Sequence, residues 1–255
     1  MSDARKFAVA FTLALVPTLA AGCASAPPPV PTYTPRFAYS YPPGEAPASD
    51  VTVAIVRPID VNASQSTSGK VLAVNSKNIM KAENDFNAGI VAQLQELLNK
   101  KGFKQTGPFD DLNAMTFPDK KAADLTFTIQ VGLNFAVPPT TTNFEQGFGN
   151  QLLGGGVVVA ESKGVCSGSG FISFVILEPL SGEKIWIKKV DIAPTEVDCT
   201  GKALPENFTV IDNGVAVLLE KAFQLAMKRA WDYVSPEEIT MLKKQSQELR
   251  AKKVY

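Results

Sequence analysis

From Leu125 to Phe135 every second residue is apolar. Leu125, Phe127, Ile129, Val131, Leu133 and Phe135 share one face of an extended chain, and Thr126, Thr128, Gln130 and Asn134 occupy the other. A period of two is the signature of a half-buried strand. Its apolar face is satisfied only by a second layer of structure, so this run fixes a layered domain before anything else is read.

The rest of the chain supplies partners for that strand. Val51–Val56 predicts a buried strand ended by Arg57-Pro58, and the polar stretch Asn62–Ser76 predicts a loop. Asn78–Lys101 predicts a helix, with Phe86, Ile90, Leu94, Leu97 and Leu98 at helical spacing and Gly102 at its C-terminal cap. Phe171–Leu177 and Lys184–Ile192 flank Pro179-Leu-Ser-Gly-Glu183 and predict a β-hairpin. Val215–Tyr233 is apolar around much of its circumference and predicts a core helix. Ser235-Pro-Glu-Glu238 predicts the start of another, with Ser235 as N-cap, Pro236 first in the helix and Glu238 completing a capping box. The basic residues Lys243, Lys244, Arg250, Lys252 and Lys253 crowd its second half and predict a solvated helix end. The fold class is therefore α+β: a mixed, largely antiparallel sheet with helices packed on one face and a C-terminal helical pair.

The N-terminus reads as an address. Arg5 and Lys6 precede an apolar run, Phe7–Leu19, that is too short to span a bilayer. Leu19-Ala-Ala-Gly-Cys23 then follows the pattern of a bacterial lipobox, in which Cys23 is acylated and becomes the mature N-terminus. The alternative is an ordinary secretory signal with a chance cysteine. Ala24, which is not Asp, favours the outer membrane by analogy with lipoprotein sorting. Residues 1–22 are thus a signal peptide, 23–49 a lipidated Cys with a Pro-rich tether, and 50–255 a single domain. Loose and extended, residues 24–49 would hold the domain up to roughly 80 Å from the lipid. Phe37, Tyr39 and Tyr41 alternate within the tether, a pattern that would also let it dock.

Composition excludes much chemistry. The chain of 255 residues has no histidine, which removes Ser-His and Cys-His nucleophile pairs and histidine metal sites. Twenty-five cations balance 25 anions, so nothing favours nucleic acid. Gly164-Val-Cys166-Ser-Gly168 mimics a nucleophile elbow but lacks a histidine base. No catalytic residue, metal site or cofactor is expected. The Gly-rich segment 144–159 reads either as a self-association or lipid-contacting loop, or as a flexible hairpin crown over the core.

Once Cys23 is acylated, Cys166 and Cys199 are the two thiols left. An oxidising envelope closes such a pair. Their midpoint falls between Gly182 and Glu183, in the predicted turn, so antiparallel strands folded there would set the two cysteines across from each other. We expect a disulfide between them.

Gly170-Phe-Ile-Ser-Phe-Val-Ile-Leu-Glu-Pro-Leu-Ser-Gly-Glu183 resembles the neuraminyllactose-binding haemagglutinin (HpaA-type) lipoproteins, supported by Val56-Arg-Pro58, Gln95–Phe103 and the Lys-rich run 242–253. The resemblance implies an outer-membrane lipoprotein on the surface or the flagellar sheath, with adhesin activity and a host glycan or envelope protein as partner. A periplasm-facing assembly or scaffold lipoprotein is the alternative. The family's proposed sialic-acid motif is basic, Lys-Arg-Thr-Ile-Gln-Lys. The matching stretch here is Pro138-Pro-Thr-Thr-Thr-Asn143, and no Lys or Arg occurs from Ala122 to Ser162. A sialic carboxylate calls for a cation or convergent N–H donors, so little sialic-acid binding is expected.

Overall fold

The alternating run becomes the central strand, β5 (Leu125–Val137), of a seven-stranded mixed sheet. The computed structural model describes residues 30–44, 46–67, 70–72, 76–145, 157–203 and 209–252. Strands β1 (Thr52–Val56) and β2 (Ile59–Thr67) lie end to end along one side of β5 and parallel to it, with Val53 opposite Leu125 and Ile59 opposite Gln130. Arg57-Pro58 breaks them apart. The stretch expected as a loop, Asn62–Ser76, is instead mostly β2 and β3 (Lys70–Leu72), which pair antiparallel. Asn62 is a weak strand former, but beyond β1 the edge of β5 stays open, and pairing there, with a register shift between Ile59 and Asn62, overrides local preference. Strand β4 (Lys104–Phe109) flanks β1 in parallel.

On the other side of β5 stands β8 (Val165–Leu177), antiparallel, and beyond it β9 (Lys184–Asp198). The expected hairpin is therefore real and longer at both strands. Its register differs from the symmetric one. Cys166 faces Val197, Phe171 faces Asp191 and Leu177 faces Lys184, with irregularities at Gly168/Gly170 and Ile176/Leu177. Cys199 lies just past the end of β9.

Two helices cover one face. α1 (Lys77–Lys100) and α3 (Thr209–Tyr233) run side by side in the same direction. At one end Ser76 Oγ and Asn78 Nδ2 donate to Asp212 Oδ2; at the other the Lys101 ammonium sits 3.8 Å over the Trp231 ring. Phe86, Ile90, Leu94, Leu97, Phe223, Met227 and Ala230 are buried between these helices and the even-numbered residues of β8, Ile172, Phe174 and Ile176. α1 ends as expected. Gly102 has φ +80°, its N–H donates to Asn99 O and the Phe103 N–H to Leu98 O, which is a Schellman closure. On the opposite face Met115, Phe109 and Leu112 pack with Ala54, Val56 and Ala123, and the short α2 (Phe117–Ala122) buries none of its residues.

α4 (Pro236–Lys252) completes the helical pair. Ser235 Oγ accepts from the Glu238 N–H, but Glu238 does not reach back to close the capping box. Its carboxylate accepts instead from Trp186 Nε1 at 2.7 Å. The basic residues are not simply solvated either. Lys243 bonds Asp50 and Asp124, and Arg250 bonds Glu178.

The largest departure from expectation is the tether. From residue 30 onward it is a strap laid along the α1–α3 groove. Phe37 packs edge-on against Phe86 and Phe223, and Tyr41 is buried and stacked on Trp231. The alternating aromatics dock because the groove between two helices offers them apolar walls, and that burial outweighs the freedom of an extended chain. Gly89 makes room for it: a Cβ there would stand 2.5 Å from Phe37 Cβ.

Candidate functional site

The two ends of the helical layer differ in chemistry. At the end where α1 and α3 begin, β8 starts and β9 stops, and Cys166 and Cys199 are joined with their Cα atoms 5.6 Å apart. The Cys199 N–H donates to Gly164 O, and the Thr200 hydroxyl accepts from the Gly164 N–H, so the bridge, the start of β8 and the exit of β9 form one node. Gly214 of α3 abuts the bridge. A Cβ there would overlap the Cys199 sulfur and lie 2.9 Å from the Cys166 sulfur.

A second sheet is rooted in this node. β6 (Thr140–Glu145) pairs antiparallel with β7 (Val157–Ser162), and β7 with β10 (Gly201–Ala203). The chain enters it from the end of β5 through Pro138-Pro139 and leaves through Lys163-Gly164 into β8. The stretch set above against the sugar motif of the lipoproteins it resembles, Pro138–Asn143, runs into the start of β6, and Thr140, Thr141, Thr142 and Asn143 are exposed. Asn143 Nδ2 donates to Glu161 Oε2, and Lys163 is paired with Glu161 at 3.0 Å. Of the Gly-rich segment, residues 144–145 and 157–159 lie on β6 and β7; residues 146–156 are outside the described residues.

The strap starts at the same end. Asn213, in the first turns of α3, donates through Nδ2 to Pro31 O and accepts from the Tyr33 N–H through Oδ1. Tyr33 also donates its hydroxyl to Glu220, and that carboxylate pushes the phenol up to about 12. Farther along, Tyr39 N–H donates to Gln93 Oε1 and Tyr41 Oη to Gln93 O, and burial pushes the Tyr41 phenol up as well. At the far end Ala46 N–H bonds Lys100 O and Ser49 N–H bonds Gly102 O. Sequence reasoning missed Gln93, Glu220 and Gln224 as strap anchors; the Phe37/Tyr39/Tyr41 alternation was the available signal.

The far end is held by charge. Glu178 is fully buried and heads the 178–183 turn. Burial alone would raise its carboxyl, but the N–H groups of Leu180 and Ser181 and the Arg250 guanidinium, at 2.8 Å, hold it down at about 2. Arg250 also donates to Ala123 O, Ser246 to Asp124 O, and Lys243 to Asp50, whose carboxyl it lowers.

One apolar cleft of about 100 Å³ opens between β9 and α3, lined by Leu133, Phe135, Ile192, Leu218, Ala222 and Leu225. Among the described residues no three His, Cys, Asp or Glu gather as a metal site. No described helix is long and apolar enough to cross a membrane. Cys23 and residues 1–22, expected as a signal peptide, are outside the described residues.

The architecture is thus an α+β sheet–helix layer with a small second sheet at one end. No family model and no curated protein match the chain. Among solved structures it is similar to a neuraminyllactose-binding hemagglutinin homolog from Helicobacter pylori, at 16% identity and a TM-score of 0.57, over 85% of this chain and 100% of that one. At that identity the likeness shows a shared fold. A minor lipoprotein from Acinetobacter baumannii overlays at 7% identity and a TM-score of 0.26, over 71% of this chain and 92% of that one, too loosely to bear on the fold.

Proposed function

We propose that this protein is a lipid-anchored outer-membrane lipoprotein whose folded head is a binding module rather than an enzyme. One observation carries the reading. The lipobox cysteine is separated by only residues 24–29 from a strap that is stitched to α1 and α3, so an acyl group at Cys23 would hold the head itself, not a loose appendage. The shared fold with the Helicobacter pylori hemagglutinin homolog supports a surface or flagellar-sheath adhesin as the role. A sialic-acid site at 138–143 is not part of the proposal, since that stretch is uncharged and Lys163 beside it is paired with Glu161.

Membrane fractionation of the full chain tests the anchor. Wild type should float with membranes after a high-salt wash, and Cys23→Ala should be released. A variant that still floats overturns the anchor. Protease treatment of intact cells then separates surface display, which predicts shaving, from a periplasm-facing scaffold, which predicts protection.

A further inference from the structure

We propose that the disulfide end of the head, with the start of β6, the 163–164 turn and Thr200, is the face held against the lipid surface. This rests on acylation at Cys23. The argument is one of lengths and positions.

The described chain begins at Val30, and Pro31 and Tyr33 are bonded to Asn213. Asn213 adjoins Gly214, which packs on Cys166 and Cys199. The lipid-bearing segment therefore leaves the head at the disulfide end. Seven residues, 23–29, separate the acylated position from Val30. Fully extended, they span at most about 25 Å.

The opposite end is farther away than that. From Asn213 to Tyr233 α3 runs about 30 Å. From Cys166 to Glu178 β8 runs about 40 Å in the same direction, since Leu218 of α3 adjoins Gly168 and the Tyr233 ring adjoins Lys188 near Trp186. To stand the head on its 178–183 turn, with the disulfide end about 40 Å above the bilayer, the tether would have to double back along the whole head, and it is too short; a head lying on its side would still keep the disulfide end at the lipid. The strap cannot lend the missing length without giving up Phe37, Tyr39 and Tyr41 from the groove. The ordering follows: lipid, disulfide end, helices, then the Glu178–Arg250 end outermost.

The surface so placed suits a headgroup layer. Thr140, Thr141, Thr142, Asn143 and Thr200 are exposed, Val165 is 48% exposed, and Lys163 and Glu161 balance each other. It also follows that the β6 stretch set against that sugar motif faces the anchor side, and that a partner arriving from the aqueous side meets the far end first.

The test uses the full acylated chain in phosphatidylcholine vesicles that carry a spin label on the headgroup. A coumarin-bearing amino acid replaces Lys163 in one variant and Ser181 in another. The probe at 163 should be quenched at least threefold more than the probe at 181, and inserting twenty Gly/Ser residues between Ala26 and Pro27 should abolish the difference. Equal quenching, or stronger quenching at 181, overturns the orientation while leaving the anchor intact. If wild type fails to float with vesicles in the same experiment, or floats equally well as Cys23→Ala, the anchor is wrong and the orientation falls with it.

Discussion

The two ends of this molecule solve one problem by different chemistry. Each must hold the tips of strands in place where a helix meets them. The disulfide end does so covalently, with Cys166–Cys199 beneath Gly214. The far end does so with ions, through Arg250 to Glu178 and Lys243 to Asp50 and Asp124. A covalent lock is indifferent to pH and sensitive to reductant; an ionic one is the reverse. The difference makes the two ends separately addressable.

The ionic end should give the largest effect. Arg250→Ala takes the guanidinium from a carboxylate with no exposed surface and also from Ala123 O. Removing one partner of a buried pair costs about 3–5 kcal/mol. The urea midpoint should fall accordingly, while Cys166 and Cys199 stay resistant to alkylation. An unchanged midpoint would dissolve the comparison.

Next comes the disulfide. Its cysteines are 33 residues apart in sequence, and the chain-entropy account assigns closure of such a loop about 3–4 kcal/mol. Reduction, or Cys166→Ala with Cys199→Ala, should lower stability by that much, and by the same amount at pH 4 as at pH 7. A loss that grows or shrinks with pH would show the two ends to be coupled.

Acid should act mainly on the far end; at the disulfide end only the exposed Asp198 carboxyl, lowered by its hydrogen bonds from Thr200, adds to it. The Glu178 carboxyl is depressed from 4.5 to about 2. A lowered folded value means its contribution is complete above 4.5 and is lost as pH falls from there toward 2, amounting to about 3 kcal/mol. Asp50, lowered by Lys243, works in the same direction. Denaturant midpoints for wild type should decline through that window, and Glu178→Gln should decline less. Parallel declines would remove Glu178 from the account.

The smallest effect sharpens the covalent side. Gly214→Ala puts a methyl into the bridge sulfurs, an overpacking worth about 1–3 kcal/mol. Made in the cysteine-free background it should cost clearly less, because the obstructing sulfurs are gone. Strict additivity in that cycle would mean the helix already has room.

How much of this was legible depends on whether a signal was local. β5, α1 and α3 announce themselves because a single period runs through each. β2 does not: Asn62–Ser66 is a strand because β5, and β3 from Gln65 onward, supply its hydrogen-bonding edges. β4, with Gly107 and Pro108 inside it, has the composition of a turn and pairs at an edge. The cysteine pairing was reached by elimination and is what the structure contains, yet the hairpin symmetry used to support it is off by two residues at Cys166, which faces Val197. The strap aromatics were visible, but their groove is made by α1 and α3, which lie far along the chain. The proposed orientation of the head toward a lipid anchor could not be read at all, because it depends on where strands of distant sequence finish.

The strap also carries a consequence for the order of assembly. The Tyr33–Asn213 contact joins positions 180 apart, and Tyr33–Glu220 joins positions 187 apart. The strap leaves its site of synthesis well before its partners in α3, which follow it by 180 positions or more. Contacts that close such long loops form after the local ones. So the strap meets α1 early, at Gln93 and Phe86, but its groove is complete only when α3 arrives. Phe37 and Tyr41 settling onto Phe223 and Trp231 then mark the completed molecule.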